Sequence, residues 1–156
     1  MSNKKIEIKI DGDLFKCSPE STIMEAAREN GIDIPGLCYH SDFPVKGNCR
    51  ICVVELKGKG KLVSSCHTQV EEGMEIFTNS KKVKEGRNLN IELLFSEHIQ
   101  QCGQCIWRMN CTLLDLAKKY DINATRFTDR KKKRRNYKLS SIYLTHGYLT
   151  KFLFDL

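Results

Sequence analysis

The chain begins with a regular alternation of apolar and charged residues. In KIEIKIDGD, three isoleucines alternate with charged residues, which predicts a strand with one buried face: Ile6, Ile8 and Ile10. Asp11-Gly12 is a strong signal for a two-residue hairpin turn, so DLFKC is predicted to return as a second strand. Thr22 and Glu25 then form a capping box for a helix over IMEAAREN, and Gly31 is placed to end that helix.

The middle of the chain predicts a long loop followed by further strands. Ile34-Pro35 favours extended backbone that leads into a loop over 36–50. ICVVEL is rich in β-branched residues, the glycines of KGKGK predict a turn, and KLVSSC runs back beside it. MEIFT predicts a last short strand. Two strands, one helix and then more strands indicate an α+β unit of about 78 residues.

From Lys81 onward, the apolar residues recur with a helical period. One helix face carries three apolar residues and a histidine at the spacing i, i+3, i+4 and i+7: Ile91, Leu94, Phe95 and His98. This spacing predicts that His98 lies on the buried face, in the last turn of the helix. A second helix after Cys111 has apolar and aromatic residues at the same spacing: Leu113, Leu116, Ala117 and Tyr120. We therefore expect three parts: an α+β domain over 1–79, a helical domain over 80–121 and a tail over 122–156.

Eight cysteines are many for a chain of 156 residues. The N-terminal stretch MSNKKIEIKI shows no apolar signal-peptide region, and a cysteine-rich chain without one favours metal or redox chemistry over disulfides. No run approaches the roughly 18 consecutive apolar residues of a membrane-spanning helix. We therefore expect a cytoplasmic protein with no membrane span.

The basic excess of the chain lies in its C-terminal part. Residues 122–156 hold nine Lys or Arg and two acidic residues, whereas residues 1–121 hold 17 of each sign, which accounts for the net charge of +7. The run RKKKRR precedes an apolar end with four aromatic residues: Tyr143, Tyr148, Phe152 and Phe154. We expect this segment to dock on a protein partner. The alternatives are a disordered segment in which RKKKRR is a solvated charge run, and a segment that contacts nucleic acid or anionic lipid.

Four cysteines around the predicted loop have the spacing C-x10-C-x2-C-x13-C: Cys38, Cys49, Cys52 and Cys66. In KGNCRIC, two thiolates and several backbone N–H groups can face one centre, and Gly47 leaves room for the backbone to approach. A [2Fe–2S] cluster needs such an arrangement, but the spacing also suits a tetrahedral zinc site. Spacing alone leaves both metals open. Cys17 has no partner at ligand spacing and is expected to be a small buried side chain.

A second candidate set lies in HIQQCGQCIWRMNC, with the pattern H-x3-C-x2-C-x5-C: His98, Cys102, Cys105 and Cys111. A lone histidine on an apolar helix face is usually a core residue. This histidine, however, precedes a C-x2-C pair that needs a fourth ligand, and Cys17 is far away in the α+β unit. Before any family is considered, His98 can be either a core residue or a ligand.

The motifs GLCYH, GNCRICVVE and SSCHT, after a capped helix, resemble the N-terminal iron–sulfur region of the large iron–sulfur subunit of respiratory NADH dehydrogenase. Iron-only hydrogenases and NAD-linked formate dehydrogenases carry related regions. The resemblance covers about residues 5–121. It implies a β-grasp domain of the plant-type ferredoxin kind, with a [2Fe–2S] cluster bound by the first set: Cys38, Cys49, Cys52 and Cys66.

Directly after the ferredoxin domain, the same family carries a His/Cys3 motif that binds a [4Fe–4S] cluster. The resemblance therefore implies a small helical domain that binds this cluster through the second set: His98, Cys102, Cys105 and Cys111. The chain departs from the family at Ile99, where a proline is often found. This departure affects how the helix ends but removes no ligand.

The sequence contains no nucleotide-binding glycine motif, no C-x2-C-x2-C-x3-C run and no obvious catalytic acid, base or nucleophile. We therefore expect electron transfer without a catalytic site, and no nucleic-acid partner. In the family, this module docks beside a flavin subunit that handles NAD(P)(H). The resemblance implies a hetero-oligomer in which the chain relays electrons between an NAD(P)-linked flavin and iron–sulfur subunit and a further redox subunit. Complexes of the hydrogenase, formate dehydrogenase and transhydrogenase types are all compatible. A freely diffusing two-cluster ferredoxin and a zinc-binding nucleic-acid protein are the alternatives.

Overall fold

The computed structural model describes residues 5–58, 60–123 and 126–127. Its five strands lie in one mixed sheet: β1 (Ile6–Ile10), β2 (Asp13–Cys17), β3 (Val53–Leu56), β4 (Leu62–Ser64) and β5 (Glu75–Phe77). Their order is β2-β1-β5-β3-β4, with β1 and β5 parallel and the other neighbours antiparallel. The described helices are α1 (Ile23–Glu29), α2 (Lys81–His98) and α3 (Thr112–Lys119), with 3-10 turns at Ile99–Gln101 and Arg108–Asn110. The predicted α+β class is confirmed.

The first hairpin follows the alternation in the sequence. Ile8 and Ile10 are fully buried, whereas the charged residues that alternate with them are exposed. Asp11 and Gly12 adopt φ values of 51° and 103°, which are the left-handed values of a tight hairpin turn. The predicted strand pair and its turn are therefore confirmed.

Helix α1 starts at the predicted capping box. The Thr22 N–H donates to the Glu25 carboxylate at 2.8 Å, and the Glu25 N–H donates to Thr22 Oγ1 at 3.3 Å. Gly31 follows the helix end with φ 77°, a conformation that favours glycine. The buried side of α1 packs on the sheet in an apolar cluster that also contains Cys52 and Cys66. Two candidate ligands are thus fixed within the main core.

Helix α2 packs closely on the sheet in its first half. A Cβ atom on Gly86 would lie 2.6 Å from Leu62 Cδ1, so this glycine allows α2 to approach β4. Val83, in the first turn of the same helix, is fully buried. The second half of α2 packs against α3, where Ile91 and Phe95 belong to a second apolar cluster.

His98 is the last residue of α2, as predicted, but its side chain is exposed. The expectation that His98 lies on the buried face is wrong. The second apolar cluster reaches along α2 as far as Phe95, and one turn later His98 points outward and Ile99 is 41% exposed. Helical spacing identifies the face of a helix, but it does not show where the neighbouring layer ends.

Most of the predicted tail lies outside the described residues, including RKKKRR and the four aromatic residues predicted to dock. Of residues 122–156, the structure describes Ile122, Asn123, Arg126 and Phe127. Arg126 Nη2 lies 2.5 Å from Oε2 of Glu92, a buried carboxylate on α2. Within the described part of the chain, no helix combines the length and apolar character needed to cross a bilayer.

Candidate functional site

The first cysteine set is gathered by one loop and one hairpin. Cys38, Cys49 and Cys52 lie on the loop between α1 and β3, and Cys66 follows β4, the antiparallel partner of β3. The Cys49 N–H donates to Cys38 Sγ at 3.5 Å, and the Sγ atoms of Cys52 and Cys66 are 3.3 Å apart. The structure therefore arranges these cysteines as two pairs.

The backbone around Cys49 turns sharply. Gly47 has φ 60° and is buried, and Arg50 has φ 53°, which is uncommon for a residue with a side chain. These two left-handed residues fold the chain around Cys49, so that backbone N–H groups face sulfur atoms. Burial raises the pKa of Cys38, but the N–H groups of Cys49 and Asn48 outweigh it and hold the pKa of this thiol below its ordinary value.

The first set is electrostatically coupled. Burial, the Cys52 thiol and the charges of Cys52, Cys38 and Cys49 together raise the pKa of Cys66 to about 12. The negative charge of each thiolate disfavours ionisation of the next cysteine. All four cysteines can therefore bind as thiolates only around a positive centre. Iron supplies that positive charge, and in a [2Fe–2S] centre each iron takes two protein ligands. The two pairs and their N–H donors fit such a centre.

A buried arginine lies behind this loop. Arg87 of α2 is 4% exposed, and its guanidinium donates to the carbonyl oxygens of Ile51 and Val53, both at 3.1 Å. Sequence reasoning missed this residue because a charged side chain is usually exposed. Its position in the helix could have indicated burial, because Arg87 lies four residues before Ile91, on the apolar face.

The second set lies between α2 and α3. His98 ends α2, and α3 begins directly after Cys111, whose carbonyl accepts the Asp115 N–H at 3.0 Å. The Cys102 thiol donates to the carbonyl of His98 at 3.6 Å. Cys102 and Cys111 are half-buried, whereas Cys105 and the His98 side chain are exposed.

The arrangement of the second set is looser than that of the first. The first set has two thiol contacts, Cys49 N–H to Cys38 Sγ and Cys52 Sγ to Cys66 Sγ, whereas the second set has the Cys102 thiol on the His98 backbone. Across residues 5–58, 60–123 and 126–127, neither set brings three side chains together closely enough to hold a single metal ion. Three thiols and one imidazole within one helix–turn–helix nevertheless form a donor set that suits a [4Fe–4S] cluster.

Both cysteine sets border the second apolar cluster. Cys49 and Ile51 of the first loop belong to it, together with Ile91 and Phe95 of α2 and residues of α3. Cys102 and Cys111 pack against the same cluster. Packed apolar side chains therefore connect the two candidate sites.

One cysteine and two further histidines belong to neither set. Cys17 is 1% exposed and its thiol faces the Ile6 carbonyl at 4.0 Å. Burial raises its pKa, as do the charges of Glu29 and Glu72, which agrees with the prediction of a small buried side chain. His40 and His67 are exposed.

Two family models match the chain. The model described as "2Fe-2S iron-sulfur cluster binding domain" matches residues 3–81. The model described as "NADH-ubiquinone oxidoreductase-G iron-sulfur binding region" matches residues 87–126. The first match contains the whole first cysteine set, and the second contains the whole second set.

Individual relatives agree with these matches. The chain is 35% identical over 127 residues to the NADH-ubiquinone oxidoreductase 75 kDa subunit of Reclinomonas americana, covering 81% of this chain and 18% of that protein. It is 32% identical over 123 residues to the mitochondrial NADH-ubiquinone oxidoreductase 78 kDa subunit of Candida albicans, covering 79% of this chain and 17% of that protein. The chain therefore spans less than one fifth of these relatives.

A solved structure extends the likeness to the fold. A chain of NAD+-reducing [NiFe]-hydrogenase in the H2-reduced state superposes with a TM-score of 0.71 at 30% identity. The match covers 78% of this chain and 51% of the hydrogenase chain.

Proposed function

This chain belongs to the family of 2Fe-2S iron–sulfur cluster binding domains, and we propose that it relays electrons between an NAD(P)-linked flavoprotein subunit and another redox subunit. The matches confirm the predicted cofactors, one [2Fe–2S] and one [4Fe–4S] cluster, and the predicted class of iron–sulfur electron-transfer protein. The zinc-binding alternative is not favoured. The observation that carries the relay is the shared apolar cluster, which borders both cysteine sets.

We assign the [2Fe–2S] cluster to the first set, whose two pairs would hold it: Cys38 with Cys49, and Cys52 with Cys66. The cluster supplies one-electron redox chemistry when bound. The chain's part is to provide four thiolates and the N–H donors that stabilise them. A parallel central strand pair and a capped helix on the sheet support the finer assignment of residues 1–79 to a β-grasp ferredoxin domain.

We assign the [4Fe–4S] cluster to the second set: His98, Cys102, Cys105 and Cys111. The backbone after His98 supports this assignment. Ile99 donates its N–H to the Phe95 carbonyl and continues the helix as a 3-10 turn toward Cys102. The Cys102 thiol donates to the His98 carbonyl, so this helix end places two of the predicted ligands next to each other.

Exposed apolar side chains beside each set support docking of redox partners. Leu37 and Phe43, on the loop that carries Cys38, are 37% and 68% exposed. Ile106, Trp107 and Met109, between Cys105 and Cys111, are 86%, 68% and 95% exposed. Large exposed apolar residues concentrated at one site are typical of interaction surfaces. We infer a hetero-oligomer in the cytoplasm, with the tail as an additional docking segment.

Anaerobic co-purification tests this function. The tagged chain is expressed together with the proteins that adjacent genes encode. A flavin-containing protein should then co-purify, and NADH or NADPH should bleach the visible iron–sulfur absorbance. Bleaching should be absent when the flavoprotein is omitted. Clusters that are reduced by many unrelated donors, with no stable complex, would instead support a freely diffusing ferredoxin.

Truncation after Phe127 tests the docking role of the tail. The shortened chain should keep its iron content, because every candidate ligand precedes the cut, but it should release the flavoprotein more readily. Assembly that is unaffected by the truncation would exclude the docking role.

A further inference from the structure

Helix α2 holds the cluster loop through two polar side chains, Arg87 and Asn90. Asn90 Nδ2 donates to the Arg50 carbonyl at 2.7 Å. Arg87 Nε donates to the Ile51 carbonyl and Nη2 to the Val53 carbonyl. Three carbonyl groups of the segment that carries Cys52 therefore point toward α2.

This orientation determines where the N–H groups of the loop point. In a trans peptide, the C=O and N–H groups point in opposite directions, and the described chain contains no cis peptide. Because the Arg50 carbonyl faces Asn90, the Ile51 N–H faces away from α2, and it donates to the Cys49 thiol. The Ile51 carbonyl faces Arg87, so the Cys52 N–H likewise points to the cysteine side.

Arg87 also places a positive charge behind the loop. Its other described contacts are with the Thr78 carbonyl at 3.3 Å and the Tyr120 hydroxyl at 3.2 Å. All four partners are neutral, and the buried carboxylate of Glu92 is paired with Arg126. Burying an uncompensated charge is unfavourable. Arg87 bonds the carbonyl of Ile51, which lies in sequence next to Cys52 and two residues after Cys49. When the first set is ionised, its thiolates therefore place negative charge on the same short loop segment.

We propose that Arg87 is a positioning residue for the [2Fe–2S] site, where it aligns the loop N–H groups and provides the buried charge that favours the reduced state. Asn90 shares the alignment but contributes no charge. This inference rests on the proposed assignment of the [2Fe–2S] cluster to the first cysteine set.

The test is a redox titration of the full-length, cluster-loaded chain, followed by electron paramagnetic resonance of the [2Fe–2S] signal. At the wild-type midpoint potential, Arg87→Gln should lower the reduced-to-oxidised ratio about tenfold, equivalent to about 59 mV for a one-electron couple. Arg87→Lys should recover most of the loss, and Asn90→Leu should show a smaller shift in the same direction. Lys84→Gln is the matched control, because it removes an exposed positive charge from the same helix, and it should change the ratio less than about twofold.

Equal ratios in Arg87→Gln and Lys84→Gln would overturn the proposal. If Arg87→Gln does not retain the cluster, Arg87→Lys decides: a ratio within about twofold of wild type supports the proposal, and a tenfold fall or loss of the cluster overturns it. Absence of any [2Fe–2S] signal from the wild-type chain would instead contradict the proposed function, so the two failures are distinguishable.

Discussion

The two cysteine sets differ in how much of their geometry the protein chain provides. In the first set, three thiols are buried, both pairs are in contact, and α2 and the β3–β4 hairpin hold the surrounding backbone. In the second set, Cys105 and His98 are exposed, and the one contact described between set members joins the Cys102 thiol to the His98 backbone.

This difference indicates that different interactions hold the two sites in place. Contacts of the chain itself, from the sheet core and α2, hold the first site, whereas we expect metal–ligand bonds to supply much of the energy that holds residues 99–111 together. The first region therefore tolerates loss of its cofactor better than the second.

The largest expected effect is selective loss of one cluster. Cys52→Ser should lose the [2Fe–2S] cluster and retain about four irons, and Cys105→Ser should lose the [4Fe–4S] cluster and retain about two. Iron and sulfide analysis of anaerobically purified chains measures both. Cys17→Ala is the matched control and should keep the full iron content. Loss of iron from this control would show that Cys17 is more than a buried side chain.

The fourth ligand of the second site is tested at His98. His98→Ala should remove or strongly alter the [4Fe–4S] paramagnetic signal and leave the [2Fe–2S] signal unchanged, because the first site does not use this residue. His98→Cys should restore a four-ligand set. The exposed His67→Ala is the control. An unaltered [4Fe–4S] signal with full iron content in His98→Ala would show that His98 is not a ligand.

After iron is removed, the two regions should differ in the rate of their amide hydrogen exchange. In the iron-free chain, amides of β1 and β5 should remain protected, while those of residues 99–111 should exchange at least about 100-fold faster than in the loaded chain. Equal loss of protection in both regions would contradict the claim that the sheet under the first site keeps its order without iron.

The smallest effect concerns the anchor of the Cys38 loop to α1. Glu25 accepts a hydrogen bond from the Tyr39 hydroxyl at 3.0 Å and is part of the capping box of α1. The hydrogen bonds that it accepts from Thr22, together with Tyr39 and the charge of Arg28, lower the pKa of Glu25 below 4.5 despite its partial burial. Glu25→Gln should therefore cost about 1 kcal/mol in urea unfolding of the iron-free chain at pH 7, because it removes the charge that strengthens these hydrogen bonds.

The pH dependence follows from the lowered pKa. Stability gained from ionised Glu25 is present above pH 4.5, the value of the free carboxyl group, and is lost as pH falls through the lower pKa of the folded state. The difference between wild type and Glu25→Gln should shrink in that range. The exposed Glu29→Gln on the same helix is the control. A difference that is constant down to pH 3 would show that ionisation of Glu25 does not matter.

Local signals in the sequence predicted much of the fold. The alternation in β1, the Asp11-Gly12 turn and the capping box of α1 are each encoded within a few residues, and each was confirmed. The packing of α2 was not predictable in this way. Arg87 is buried because its partners lie on a loop more than 30 residues away, and Glu92 is buried beneath Arg126.

The candidate sites were predicted only in part. Cysteine spacing identified both sets, but it left zinc and iron open and did not predict which cysteines pair. Pairing of Cys52 with Cys66 depends on the register of β3 and β4, which spacing does not specify. The exposure of His98 depends on where the second apolar cluster ends along α2, and helical period carries no information on that point.

The most direct test of the central claim is the metal and sulfide content of the anaerobically purified wild-type chain, combined with its paramagnetic resonance spectrum after reduction. Two clusters bound by two separate ligand sets predict a brown protein with about six irons and six sulfides and two distinct signals. Colourless protein that contains zinc, or a single signal with about two or four irons, would contradict the account.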